Sequence, residues 1–209
     1  MVIVVCGRFN IDFEESKEIR NIIHAVDRKL NTKGLSYMEQ SKVGEIVPTN
    51  PVPIIKEMNH SLEPELSVWG FPNFNHKGII INARSETVEE KRMFQSSFQT
   101  RRCIIPSTGF YEWDENRRKY FIRRTNGPEL YMAGLYNYYE DEISRFVILT
   151  TAANESMEKI HHRMPVILER EYLEDWVMDA KSAKMILHTK MPQLQLIPME
   201  ETYEQLSLF

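Results

Sequence analysis

Ile19, Ile22, Ile23, Val26 and Leu30 recur at the three- and four-residue spacing that stacks side chains along one face of a helix. Asp12, with Glu15 three residues on, marks a capping box ahead of them, so the pattern predicts a first helix after Asp12. Thr87 and Glu90 repeat the capping spacing and predict a second helix over about Glu86 to Phe98; a third is expected after Asn154 and a fourth over Glu169 to Met178. Between them lie short β-branched and aromatic runs that read as strands: Gly78 to Ile81, Cys103 to Ile105, Tyr120 to Ile122, Leu130 to Tyr138, Phe146 to Leu149, Val166 to Leu168 and Leu194 to Ile197. Turns are expected around Arg117 and at Glu140-Asp141. Strands outnumber helices and several are hairpin-linked, which predicts one α+β domain with a largely antiparallel, barrel-like β core flanked by helices.

Composition narrows the class. The chain has 209 residues, 42% of them hydrophobic and 27% charged, with a net charge of −4. That is enough apolar material for a core without disulfides and too much for a disordered chain. No apolar run approaches the roughly 18 residues a membrane span needs, so no membrane partner is expected. The opening Met1 to Val5 is apolar but lacks the basic flank and cleavage site of a secretory signal, and a cytoplasmic location is expected. Cys6 and Cys103 are too few for a disulfide framework or a CxxC knuckle; each reads as a small buried residue or a reactive thiol. No metal-ligand set or cofactor motif is visible, and a monomer is expected. Charge is uneven: residues 91–124 hold nine basic and three acidic side chains, +6 locally, which leaves −10 for the rest. This predicts one face attractive to a polyanion.

Five local patterns carry candidate chemistry: Cys6-Gly7-Arg8-Phe9, Trp69-Gly70-Phe71, Ile81-Asn82-Ala83-Arg84-Ser85-Glu86, Gly109-Phe110-Tyr111-Glu112-Trp113 and Ile160-His161-His162-Arg163-Met164-Pro165. In this order and at these separations they resemble the SOS response-associated peptidase (SRAP) family of abasic-site-crosslinking proteins. The resemblance implies the SRAP fold and a DNA-damage-response protein that binds single-stranded DNA and crosslinks abasic sites through an amino-terminal cysteine, closing a thiazolidine. It implies Cys6, Asn82, Glu112 and His161 as catalytic residues and Arg8, Phe9, Trp69, Arg84 and Arg163 as DNA contacts. The chemistry suits the residues. An α-amine titrates at about 7.7 to 8.0, so it offers a neutral fraction for imine formation, and the thiol on the same residue then closes the ring. Glu112, among Phe110, Tyr111 and Trp113, sits where apolar neighbours raise a carboxyl group's pKa toward neutrality. His161 would protonate leaving groups. Asn82 would orient the amine or adduct, Arg8 and Arg84 would hold phosphates, and Phe9 and Trp69 would stack on bases, although a core position is the plain alternative for Trp69.

The sequence departs from the family pattern twice. Five residues precede Cys6, whose nitrogen must be a free amine to react. Residues 1–5 therefore read as a leader, either a misassigned start with Val5 as the initiator or a segment removed by autoproteolysis; the first is favoured. Glu45, three residues before Pro48, stands where the family carries a neutral Asn. Two other functions compete with the crosslinking one: an amino-terminal-nucleophile cysteine hydrolase with (auto)peptidase activity, and a non-covalent single-stranded DNA module. The domain is expected over residues 6–200, with 201–209 a flexible tail. Its last residues, Gln205-Leu206-Ser207-Leu208-Phe209, resemble the pentapeptide by which bacterial repair proteins dock on the DNA sliding clamp, with Gln205, Leu206, Leu208 and Phe209 as anchors. Deleting residues 205–209 is expected to abolish capture of the clamp in a pull-down; undiminished capture would remove the peptide from the account.

Overall fold

The computed structural model describes residues 6–73 and 77–199, so the expectations for residues 1–5 and for the tail with Gln205, Leu206, Leu208 and Phe209 lie outside the described residues. The strands are β1 (Arg8–Ile11), β2 (Gly44–Ile46), β3 (Pro51–Met58), β4 (Ser61–Trp69), β5 (Phe71–Pro72), β6 (Ile79–Ile80), β7 (Asn82–Arg84), β8 (Arg102–Ser107), β9 (Gly109–Trp113), β10 (Lys119–Arg124), β11 (Leu130–Tyr138), β12 (Ser144–Ala152), β13 (Arg163–Pro165), β14 (Ile167–Leu168) and β15 (Leu194–Pro198). The helices are α1 (Lys17–Asn31), α2 (Tyr37–Gln40), α3 (Gln95–Thr100), α4 (Leu173–Met178) and α5 (Ala180–Ile186).

Five strands pair in the closed order β12, β4, β3, β8, β11 and back to β12, so the expected barrel is present. Only the β12–β4 contact in this ring is parallel. β13 and β7 add to β12, and β14 adds to β11. A second, wholly antiparallel sheet runs β15, β10, β9, β1, β2. β8 is buried along its whole length and β11 over its first seven residues. Both faces of these strands are covered, which is why they read in the sequence as continuous apolar runs instead of alternating ones. Gly134 sits where β11 is flanked by β8 and β12: a Cβ there would stand 2.3 Å from the Ile105 side chain and 2.8 Å from the Val147 carbonyl oxygen.

Several elements differ from the sequence pattern, each for a local reason. The cap of α1 is Ser16, whose Oγ accepts from the Ile19 amide at 3.1 Å. Asp12 instead closes the preceding turn, accepting from the Glu14 and Glu15 amides. The helix expected over Glu86 to Phe98 is a 3₁₀ turn at Ser85–Thr87, further turns, and the short α3. Its buried anchors Val88, Phe94 and Phe98 are six and four residues apart, which breaks a continuous helical stripe. After Asn154 there is only a turn, held by bonds from the Met157 and Glu158 amides to the Asn154 carbonyl, while the Asn154 side chain is tied to the Met191 and Pro192 carbonyls. The fourth expected helix is a 3₁₀ turn at Arg170–Tyr172 running into α4. The β3–β4 hairpin was not signalled at all. Its two-residue turn uses Asn59 and His60, both at positive φ (54° and 61°), the arrangement a type I′ turn requires.

The +6 segment is not a single face. Arg118, Lys119, Arg123 and Arg124 each pair with an acid. Arg102 is 4% exposed and lies in the interior. Its guanidinium donates to the Phe98 and Gln99 carbonyls at the end of α3 and to the Trp176 and Val177 carbonyls near the end of α4. These are carbonyls that a helix end leaves without an intrahelical partner, at the end where the dipole favours a cation. Replacing Arg102 with Met is expected to lower unfolding stability by about 3 kcal/mol, since four acceptors lose their donor. Urea denaturation measures this, with Arg102→Lys restoring only part; a loss within 0.5 kcal/mol, about the surface-substitution range, would contradict it.

Candidate active site

β1 is the edge of the site. It lies between β2 and β9, with Arg8 opposite Tyr111 and Phe9 opposite Phe110. Extending that ladder by one residue on each strand brings the start of β1 to Glu112. There the Cys6 backbone nitrogen donates to the Glu112 carboxylate in a buried contact. Cys6 is 0% exposed and holds φ at 47°, a left-handed conformation that is costly for a non-glycine residue and tends to mark functional positions.

The two side chains perturb each other as their burial requires. Removal from water pushes the Glu112 carboxyl up to about 7, against the smaller opposing effect of the Cys6 and Trp113 amides that donate to it. Burial, and then the nearby Glu112 charge, push the Cys6 thiol well above its ordinary value. Glu112 therefore holds or releases a proton near neutral pH, touching the nitrogen of the candidate nucleophile.

A second group assembles on β12. β7 runs parallel to it, placing Asn82 opposite Ile148 and Arg84 opposite Thr150, while β13 on its other side puts Arg163 opposite Ala152. Arg163 is locked in a fork with Glu86, at 2.6 and 3.0 Å, and also donates to the Thr150 carbonyl. Arg84 is exposed. His161 is 7% exposed; its Nδ1 accepts from the Arg163 amide at 3.1 Å, while its buried Nε2 meets no hydrogen-bond partner among the described residues. Burial, and then the His162 ring stacked at 4.4 Å, hold its pKa below the ordinary histidine value. The neutral ring thus carries its proton on Nε2, a donor without an acceptor among the described residues.

Trp69 joins the two groups. Its ring meets Phe9 edge-on at 5.0 Å and stacks on Phe146 at 6.2 Å, and its Nε1 donates to the carbonyl of Ile81, next to Asn82. Trp69 and Phe9 are both 0% exposed. The expectation that they stack on DNA bases is therefore corrected: they are core side chains, and Trp69 packs between the strand that follows Cys6 and the residue that precedes Asn82. Arg8 is exposed and paired with Glu45, and Lys119 joins the same carboxylate. Lys119 is a site neighbour outside the motifs, and although Trp113 and Glu86 lie within them, no spacing in the sequence signals that they meet Arg8 and Arg163. Cys103 is fully buried, with its thiol pushed up by burial, and packs as a core residue. Among the described residues, no three His, Cys, Asp or Glu side chains cluster as metal ligands would.

Comparisons with known proteins bear on this arrangement. The chain is 32% identical over 146 residues to abasic site processing protein YedK of Escherichia coli, a match covering 66% of each chain. It is 40% identical over 106 residues to abasic site processing protein YoqW of Bacillus subtilis, covering 47% of each, and 30% identical over 138 residues to abasic site processing protein HMCES of Xenopus tropicalis, covering 51% of this chain and 41% of that one. The matched stretch thus spans about two thirds or less of these relatives' own length. A crystal structure of a protein from Bacteroides thetaiotaomicron superposes with a TM-score of 0.73 at 24% identity, over 94% of this chain and 93% of that one, and one from Bordetella bronchiseptica with 0.70 at 20%, over 93% and 100%. These two likenesses show the fold. The model of the family described as SOS response associated peptidase (SRAP) matches residues 5–203, and the chain belongs to that family.

Proposed function

We propose that this protein processes abasic sites in single-stranded DNA by forming a covalent adduct through Cys6 once that residue is the amino terminus. The observation that carries the reading is the buried contact between the Cys6 nitrogen and the Glu112 carboxylate, with Glu112 poised near neutrality. The names of the relatives, abasic site processing proteins, point the same way. In the described chain that nitrogen follows Val5 and is an amide; as a free α-amine it would occupy the same place beside the same base.

The steps balance without a cofactor. The amine adds to the aldehyde of the ring-opened sugar and the carbinolamine loses water to give an imine. The thiol then adds across the C=N bond: sulfur bonds to carbon and the proton ends on nitrogen, closing a five-membered ring. Glu112 takes the proton that the attacking nitrogen sheds, and returns one for the loss of water. His161, a neutral Nε2–H donor, would donate to the sugar or to a leaving oxygen. Arg84 and Arg163 would bind phosphate oxygens, Arg163 only by exchanging its Glu86 partner.

A form beginning at Cys6 is expected to give a band with abasic single-stranded DNA that survives SDS, and none with intact DNA. The full chain retaining Met1 and the Cys6→Ala variant should give none. No band from the Cys6-initiated form, or a band from Cys6→Ala, would overturn the proposal. Activity also follows the ionisation of Glu112. A base acts only when deprotonated, and in the Cys6-initiated form Glu112 and the α-amine touch and titrate as a coupled pair, so the crosslinking rate should rise with pH as that pair loses protons. Glu112→Gln should slow the reaction about 100-fold and reduce the two-group pH dependence to a single limb, that of the α-amine, whose ordinary range is about 7.7 to 8.0. An unchanged pH profile in that variant would take Glu112 out of the mechanism.

A further inference from the structure

One face of the five-stranded sheet carries Phe9, Phe110 and Glu112; by the two-residue alternation of strands, the opposite face carries Arg8 on β1, Glu45 on β2, Tyr111 and Trp113 on β9, and Lys119 on β10. Of these, only Arg8 is expected from the motifs to hold a phosphate, and the crosslinking steps use none of them. Glu45 binds both cations at once: Oε1 accepts from Arg8 and Oε2 accepts from Lys119 at 2.5 Å. The two cations are held from the other side by aromatic rings. The Arg8 guanidinium stands 5.5 Å from the Trp113 centroid, and the Lys119 ammonium 4.2 Å from Tyr111 and 5.6 Å from Trp113. The result is a preorganised pair of donors, from two different strands, converging on two anionic oxygens.

That is the demand of a phosphodiester as much as of a carboxylate. The place fits too. Arg8 follows Cys6 by two residues, at most about 7 Å along the chain, and Trp113 follows Glu112 directly. The Glu45 pairs are surface contacts, with side-chain exposures of 46% for Arg8, 26% for Lys119 and 29% for Glu45, so they are screened and weak enough to exchange. Burial pushes the Glu45 carboxyl up, but its bonds to Lys119 and Arg8 outweigh this and hold it below the ordinary value, so it stays charged at neutral pH.

We propose that Arg8 and Lys119 form a subsite for a backbone phosphate of single-stranded DNA beside the Cys6 position, and that Glu45 is its built-in occupant, displaced when the strand binds. The inference rests on the single-stranded DNA reading above and adds to it two residues, Lys119 and Glu45, that set affinity. A strand entering this subsite exchanges one anion for another, so it gains less from these two cations than their charge suggests. Glu45 thereby restrains binding to intact DNA.

The 209-residue chain with Met1 retained tests this without any crosslinking, using fluorescence polarisation with a labelled oligothymidylate that has no abasic site. Glu45→Gln should raise affinity about tenfold at low salt and steepen the log–log salt slope by about 0.7, one more phosphate neutralised. Lys119→Gln should weaken binding. In an Arg8→Gln/Lys119→Gln background, adding Glu45→Gln should change affinity less than twofold. Thermal melting checks each fold, and Glu45→Asn replaces any Glu45→Gln that does not melt as the parent does. Unchanged affinity in Glu45→Gln, or the same gain in the double background, would overturn the subsite; the latter would mean a general effect of net charge. A chain that binds the oligonucleotide as expected but forms no adduct as a Cys6-initiated form would refute the crosslinking reading alone. Absence of binding by both parent and Glu45→Gln would refute both.

Discussion

A buried carboxylate that receives a backbone N–H from the candidate nucleophile organises this molecule. Glu112 has 4% of its surface in water, and burying a carboxylate is costly unless donors compensate. Two amides, from Cys6 and Trp113, compensate only in part, and the carboxyl group settles near neutrality instead of remaining a permanent anion. The same contact fixes the start of β1 against β9 with Cys6 in a left-handed conformation. Sheet register, backbone strain and proton affinity are thus set by one pair of residues.

The remaining architecture keeps the other half of the site against that pair. Trp69 is packed between Phe9, from the strand that follows Cys6, and Phe146 of the barrel, and its indole nitrogen is tied to the residue before Asn82. The β12 strand that receives β7 and β13 carries Asn82, Arg84 and Arg163 into register, and Arg163 in turn fixes the tautomer of His161 through its amide. Arg102 secures the ends of α3 and α4 against β8 from inside. Charge at the site is managed locally: Glu86 occupies Arg163 and Glu45 occupies Arg8 and Lys119, so the unpaired basic groups are fewer than the basic side chains in the sequence.

What could be read from the sequence follows from how each segment is buried. β8, β11 and β12 were legible because strands covered on both faces are continuous apolar runs. The β3–β4 hairpin was not, since Pro51, Pro53 and Pro64 argue against strands and its turn is Asn-His instead of Asn-Gly. The Thr87 and Glu90 spacing imitated a capping box in a segment whose core contacts do not follow a helical period. Cys6, Glu112, Asn82, His161 and Arg163 are candidates through their motifs, whereas Phe9 and Trp69 prove to be core side chains: an aromatic residue in a motif looks the same whether it stacks on a base or fills the core. Glu45 showed in the sequence only as a departure from a pattern; its partners Arg8 and Lys119 come from strands far apart in the chain and meet only in the folded sheet.

The central claim is that nitrogen and sulfur of one residue, Cys6, both bond to the sugar carbon while Glu112 moves the protons. Digestion of the adduct followed by tandem mass spectrometry tests it most directly. The account predicts the sugar remnant on the Cys6 peptide alone, with the mass of the aldehyde less one water, with no free thiol left to alkylate and with the α-nitrogen present as a secondary, not a primary, amine. A remnant on any other residue, or a Cys6 thiol that still alkylates, would contradict it.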